Sequence, residues 1–170
     1  MIQTYTKTEL KERGAAEWEN YRARAAQDYL EEILKFSKRK QHIDDEREIV
    51  LAKLDGLKAI EYDKPNIKTS VNVDQIADRI ADYEEQIEQM DAVENSIEAA
   101  IKEARKKLLA IPDEEGYILR LYYMLGYSTW QAVYAKAGCC ETTGYERRKK
   151  GFLMLYDMGI PERFGVPEAV

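Results

Sequence analysis

The stretch DEEGYILRLYYMLGYSTWQAVYAKAGCCETTGYERRKKGFLMLY, Asp113 to Tyr156, decides the fold, because it parses into three short helices separated by turns. Asp113 follows Pro112 and can cap the first helix, with Glu114 and Glu115 favourable in its electropositive first turn. Ile118, Leu119, Leu121, Tyr122 and Leu125 give that helix an apolar face, and Gly126 is expected to end it. Ser128 with Gln131 three residues on reads as a capping box for a second helix, Thr129 to Ala137, whose Trp130, Val133, Tyr134 and Ala137 share a face. Gly138 supplies a tight turn. A third helix then runs to about Tyr156, packing through Phe152, Leu153 and Tyr156 while Arg147, Arg148, Lys149 and Lys150 face outward. Helix, glycine turn and helix with a basic run is the pattern of a helix-turn-helix. A three-helix packing unit with a solvated charge run is the other reading of the same spacing.

A likeness beyond spacing adds to this. LRLYYMLGYSTWQAVYAKAG followed by ERRKKGFLML resembles the sigma-70 region 4-like helix-turn-helix of phage-encoded transcription regulators of the RinA and ArpU type. Leu119, Tyr123, Gly126, Ser128, Trp130, Gly138, Thr143, Tyr145, Arg147, Lys150 and Phe152 carry the likeness, and AIEYDKPNIKTSVNVDQI (Ala59 to Ile76) is similar to the segment joining the long helices of those proteins. It spans roughly Leu54 to Tyr156. Three positions depart from the pattern. Tyr134 stands where a small Ala lets two helices approach, Gly144 where an aliphatic residue packs inward, and Cys140 where Ser or Thr caps the recognition helix. Thr143 with Glu146 forms a second possible capping box, so that helix could start as late as Thr143. A large Tyr134 opposite a missing side chain at Gly144 reads as mutual compensation.

The resemblance implies a sequence-specific regulator of phage or prophage genes that binds double-stranded DNA, with RNA polymerase a second candidate partner. With the recognition helix in the major groove, Glu141, Thr142, Tyr145 and Glu146 would face bases, and Glu141 or Glu146 could accept from cytosine N4. Thr129, at the start of the second helix, would hold phosphate together with Arg148 and Lys149. Gln131, Thr143, Arg147 and Lys150 complete the expected DNA-binding set. Two other function classes fit the same chain: a DNA-packaging protein of the small terminase kind, and a protein-protein adaptor contacting RNA polymerase.

A net charge of −6 is unusual for a DNA binder until it is mapped. Residues 127–156 hold five basic against two acidic residues, a local +3, whereas residues 71–100 hold nine acids against Arg79 alone, a local −8. A phosphate backbone meets charge within a Debye length of roughly 10 Å, so the local sign governs.

Outward from that segment, the expected fold is all-α: a long antiparallel, coiled-coil-like helical hairpin over 15–111, a helix-turn-helix over 112–156 and a tail over 157–170. Residues 1–14 show no periodicity and read as a flexible terminus, too polar for a secretory signal. From Ala15 to about Ile60, Trp18, Tyr21, Ala25, Tyr29, Ile33, Phe36, Ile43, Val50, Leu54 and Leu57 recur at helical spacing, with Lys40 and Arg47 landing on the apolar stripe. Residues 62–72 read as a loop around Pro65. From Val73, the positions Ile76, Ile80, Tyr83, Ile87, Met90, Glu94, Ile97, Ile101, Ala104, Leu108 and Ile111 alternate steps of three and four, a coiled-coil beat broken only at Glu94. Glu94 would fix register or oligomeric state, or turn out to water. The stripe exceeds what the interrupted first helix can cover, so a homodimer through the hairpin is expected.

No 18-residue apolar run exists, so no membrane span is expected, and the cytoplasm of a bacterial host is the expected location. Cys139 and Cys140 are adjacent and suit neither a long-loop disulfide nor a zinc site. His42 is the sole histidine, and Thr69 and Ser70 have no recognisable acid or His partner nearby, so neither an enzyme, a metal site nor a cofactor is expected.

Overall fold

The computed structural model describes residues 14–62 and 73–161, and among them the chain is all-helical, with five α-helices and no strand. They are α1 (Ala15–Tyr62), α2 (Val73–Ala110), α3 (Asp113–Tyr123), α4 (Trp130–Lys136) and α5 (Glu141–Asp157). Among the described residues no helix is long and apolar enough to cross a membrane. The expected N-terminal segment, the turn at Pro65 and most of the tail lie outside the described residues. The chain divides into two compact units, residues 36–62 with 73–99 and residues 14–35 with 100–161.

In the first unit Phe36, Ile43, Val50 and Leu54 of α1 are buried at nearly heptad spacing, together with Ile97 of α2. The two basic intrusions in α1 have partners on α2. Arg47 bonds Glu94 and, at 2.6 Å, Asp91, while Lys40 bonds Glu98 and stands 3.1 Å from Glu94. Glu94 therefore neither turns to water nor stands alone: the charges that break one stripe answer the charge that breaks the other. Its carboxyl is held below the usual carboxylate range, first by the Arg47 hydrogen bond and then by Lys40. Further along, Lys58 meets Glu84 at 2.8 Å, so partner numbers fall on α2 as they rise on α1. Ile76, Ile80, Tyr83, Ile87 and Met90 remain only half-buried in this unit.

In the second unit α1 buries a wider face than the stripe predicts. Ala26 and Leu30 are buried beside Tyr29 and Ile33, whereas Ala25 is only half-buried. The reason is that this part of α1 has neighbours on more than one side. Trp18 and Tyr21 meet the Tyr156 ring edge-on, Arg22 pairs with Asp157 at 2.7 Å, and Lys107 of α2 lies over the Tyr29 ring.

The α2–α3 corner is held by Arg120, whose Nη1 donates to the carbonyls of Leu108 (3.0 Å) and Ile111 (3.2 Å). Those carbonyls end α2 without helical partners, and a cation at a helix C-terminus is favourable. Gly116 makes room: a Cβ there would stand 2.5 Å from the same Nη1 and closer still to the Ile111 carbonyl.

Three boundaries differ from the sequence expectation. Pro112 is the N-cap of α3 and Asp113 its first residue, so Asp113 is not the cap. At its other end α3 stops at Tyr123, before Gly126 turns with φ +76, which leaves Leu125 outside the helix and 67% exposed. Thr129, not Ser128, caps α4, because its own hydroxyl accepts from the Ala132 N–H at 3.3 Å. The third helix begins at Glu141, with Cys140 as N-cap; the later start at Thr143 does not occur, and the Thr143 hydroxyl meets Cys140 Sγ at 3.2 Å instead.

Candidate nucleic-acid interface

The segment that carries the expected site is built on α3. Ile118 and Leu121 pack with Val133 and Tyr134 of α4 in one buried cluster, edged by Tyr122, Tyr127, Trp130, Ala137 and Cys139. The Trp130 ring stacks on Tyr122 at 4.1 Å between centroids. After α4, Gly138 takes φ +67, a left-handed conformation that costs glycine no steric clash, and α5 leaves at once. Phe152 and Leu155 anchor α5; Leu155 is fully buried and was not among the expected anchors, while Leu153 and Tyr156 are only half-buried.

Two glycines let α5 come close. A Cβ on Gly151 would stand 3.0 Å from Leu119 Cδ1 and 3.2 Å from the Glu115 carbonyl. A Cβ on Gly144 would stand 2.5 Å from Cγ and 2.8 Å from Cε1 of Tyr134, so the tyrosine ring fills the place of the absent side chain.

The expected base-facing residues Glu141, Thr142, Tyr145 and Glu146 are exposed on α5, and Thr143, from the wider DNA-binding set, is half-buried. Thr129 and Gln131 are exposed at the start of α4, Thr129 with its oxygen engaged in the cap. The four basic residues do not project freely outward. Arg147 pairs with Glu114 at 2.7 Å, Lys150 with Glu115 at 2.6 Å and Lys149 with Glu19 at 3.5 Å. The Arg148 guanidinium sits 4.5 Å from the Trp130 ring centre and 5.0 Å from that of Tyr145, a cation–π contact joining α4 and α5. Arg148 is thereby a packing residue as well as a charge.

The same flank of α5 borders a cleft of about 570 Å³, walled on one side by Tyr145, Arg148, Lys149 and Phe152 and on the other by Asn20, Ala23, Arg24, Gln27, Asp28 and Glu31 of α1. The Tyr123 ring meets Phe152 of that wall edge-on, and its hydroxyl is buried with no partner among the described residues; burial, then the nearby Glu31 charge, raises its pKa. Cys140 also departs from its ordinary value: the Thr143 hydroxyl and the first backbone N–H groups of α5 lower its thiol pKa.

The α1 wall was not found from sequence. Asn20, Arg24, Gln27, Asp28 and Glu31 recur at helical spacing, but a polar stripe on a charged helix looks the same whether it meets water or another helix. Among known proteins, no protein-family model, curated sequence or solved structure matches this chain.

Proposed function

We propose that the chain is a sequence-specific DNA-binding regulator of phage or prophage transcription, of the RinA and ArpU type, with α3 to α5 as a sigma-70 region 4-like helix-turn-helix. The observation that carries this reading is α5. It follows a seven-residue helix across a glycine turn and presents Thr142, Tyr145 and Glu146 to solvent beside a run of four cations. This exposure supports a helix that would enter the major groove with its N-terminal residues on base edges. In this reading α1 and α2 form an antiparallel hairpin, supported by ion pairs whose numbers run in opposite directions, and the half-buried stripe of α2 joins two copies.

One observation favours a second reading, a protein-protein adaptor: each of Arg147, Lys149 and Lys150 already has a carboxylate partner, and Arg148 lies between rings. Selecting bound duplexes from a random-sequence library with the full chain separates the two. Enrichment of a defined site that Thr142→Ala with Glu146→Ala blurs or shifts is the expected result. Failure to enrich any sequence overturns the DNA reading and leaves the adaptor.

A further inference from the structure

We propose that Glu19, Asp28 and Glu31 of α1 are specificity-determining residues: they hold phosphate away from the flank of α5, so that the face engages DNA only where base contacts add to the backbone contacts. The inference rests on the DNA-binding reading and extends it to a helix outside the three-helix segment.

Non-specific DNA affinity is almost wholly the electrostatic contribution of Lys and Arg against phosphate. Specificity is the ratio of site affinity to that background, so lowering the background raises the ratio without one new base contact. The α1 wall is placed to do this. Asp28 and Glu31 line the cleft whose other wall holds Arg148 and Lys149, and Glu19 stands 3.5 Å from the Lys149 ammonium. Among the α1 residues lining the cleft, Arg24 is the one cation beside Asp28 and Glu31. The Glu19–Lys149 pair is partly exposed on both sides, at 46% and 32%, so water screens it and a phosphate can displace it. A tight, buried pair would remove Lys149 from use. A loose one makes its release cost something at every random site and leaves it available at the right one. The α1 wall is also fixed in place: the Arg22–Asp157 pair and the Trp18 and Tyr21 contacts to Tyr156 tie this part of α1 to the end of α5.

The test compares the full chain with the Glu19→Gln, Asp28→Asn, Glu31→Gln triple variant. A second triple variant, Asp45→Asn, Glu46→Gln, Glu48→Gln, makes the same net-charge change at exposed positions outside the cleft. Fluorescence anisotropy is measured against the duplex selected by the wild type and against an unrelated duplex, over a salt series. Three like charges at several ångströms from phosphate, in water, predict about a tenfold rise in affinity for the unrelated duplex in the cleft variant. The selected duplex gains less, so the ratio falls. The salt slope on the unrelated duplex steepens by about 0.9 as Lys149 is released, and adding Lys149→Ala abolishes that increment. An unchanged ratio and slope in the cleft variant, or the same change in the distal variant, overturns the inference while DNA binding stands. A chain that selects no sequence, with no variant binding any duplex, overturns this inference and the DNA reading together.

Discussion

The ring of Tyr134 occupies the space in which a side chain on Gly144 would begin, with its Cγ 2.5 Å from the position a Cβ would take. The large Tyr134 and the missing side chain at Gly144 are therefore one device. A large side chain on α4 and no side chain at Gly144 of α5 keep the helices at a working distance, and Tyr134 is 5% exposed as a result.

That contact makes the two positions energetically dependent. Tyr134→Ala should leave a cavity costing about 3 kcal/mol, within the range for large aromatic truncations. Gly144→Ala gains roughly 1 kcal/mol of helix propensity, yet in the wild-type background the new Cβ meets the ring and overpacking should cost about 1 to 3 kcal/mol. With Ala at both positions the conflict is gone and the propensity gain is free to act. Urea unfolding of the four proteins should give a double variant more stable than the sum of the singles by at least about 1 kcal/mol. Additive energies would mean that the ring can move aside at no cost.

Arg120 offers a test of the α2–α3 corner. Its guanidinium is shared between the Leu108 and Ile111 carbonyls, and hydrogen bonds to a charged group are worth about 1.5 to 3 kcal/mol. Arg120→Met keeps much of the apolar stem and removes both bonds, so unfolding free energy should fall by about that amount. Gly116→Ala should also destabilise, against its helix propensity, because the Cβ meets the Ile111 carbonyl and Arg120 Nη1. If either variant unfolds at the wild-type denaturant midpoint, the corner is held by something else.

The parts of this fold legible in sequence are those where one local pattern suffices. The beat from Ile76 to Ile111 marks α2 whatever it packs against, and Gly126 and Gly138 mark turns that need positive φ. Caps were less legible, since Ser128 and Thr129 are adjacent candidates and only the geometry of the entering chain chooses Thr129. Least legible was pairing at a distance. Lys40, Arg47 and Glu94 look like three separate flaws in two stripes until the helices are laid side by side. The partners of Arg147, Lys149 and Lys150 come from α3 and α1, so the sequence shows a basic run where the structure shows a basic run already answered by carboxylates.

The Glu115–Lys150 pair predicts a pH dependence. The Glu115 carboxyl is held below its ordinary range, first by the Lys150 hydrogen bond at 2.6 Å, with Arg147 adding to it. A carboxylate whose folded pKa is depressed stabilises the fold above its unfolded pKa, about 4.3 for Glu, and that stabilisation is lost as pH falls through the folded value. The stability gap between wild type and Lys150→Met should thus be constant from pH 6 to 8, in a range about two units above that reference, and should close in acid. Thermal unfolding across pH checks it. A gap that widens in acid would reverse the sign and reject the pair as the cause.

Assembly is the prediction with the widest consequence. Ile76, Ile80, Tyr83, Ile87 and Met90 form a stripe left half-buried within their own unit, and Ile49 of α1 is 56% exposed. A second copy covering that stripe should give a dimer of the 19.7 kDa chain in sedimentation equilibrium. Ile80→Glu with Ile87→Glu should shift the chain to monomer while its helical circular dichroism persists, because a buried unpaired carboxylate is far costlier at an interface than on a solvated helix. Charge adds a second signature. Residues 36–62 balance six basic against six acidic residues, but residues 71–100 carry a local −8, so two copies meeting there repel. Salt screens that repulsion and should tighten the dimer, while the same salt should weaken the proposed DNA binding. A particle of many copies would favour the packaging-protein alternative. A monomer at tens of micromolar, of the order at which weak soluble dimers form, would reject the hairpin as an assembly surface.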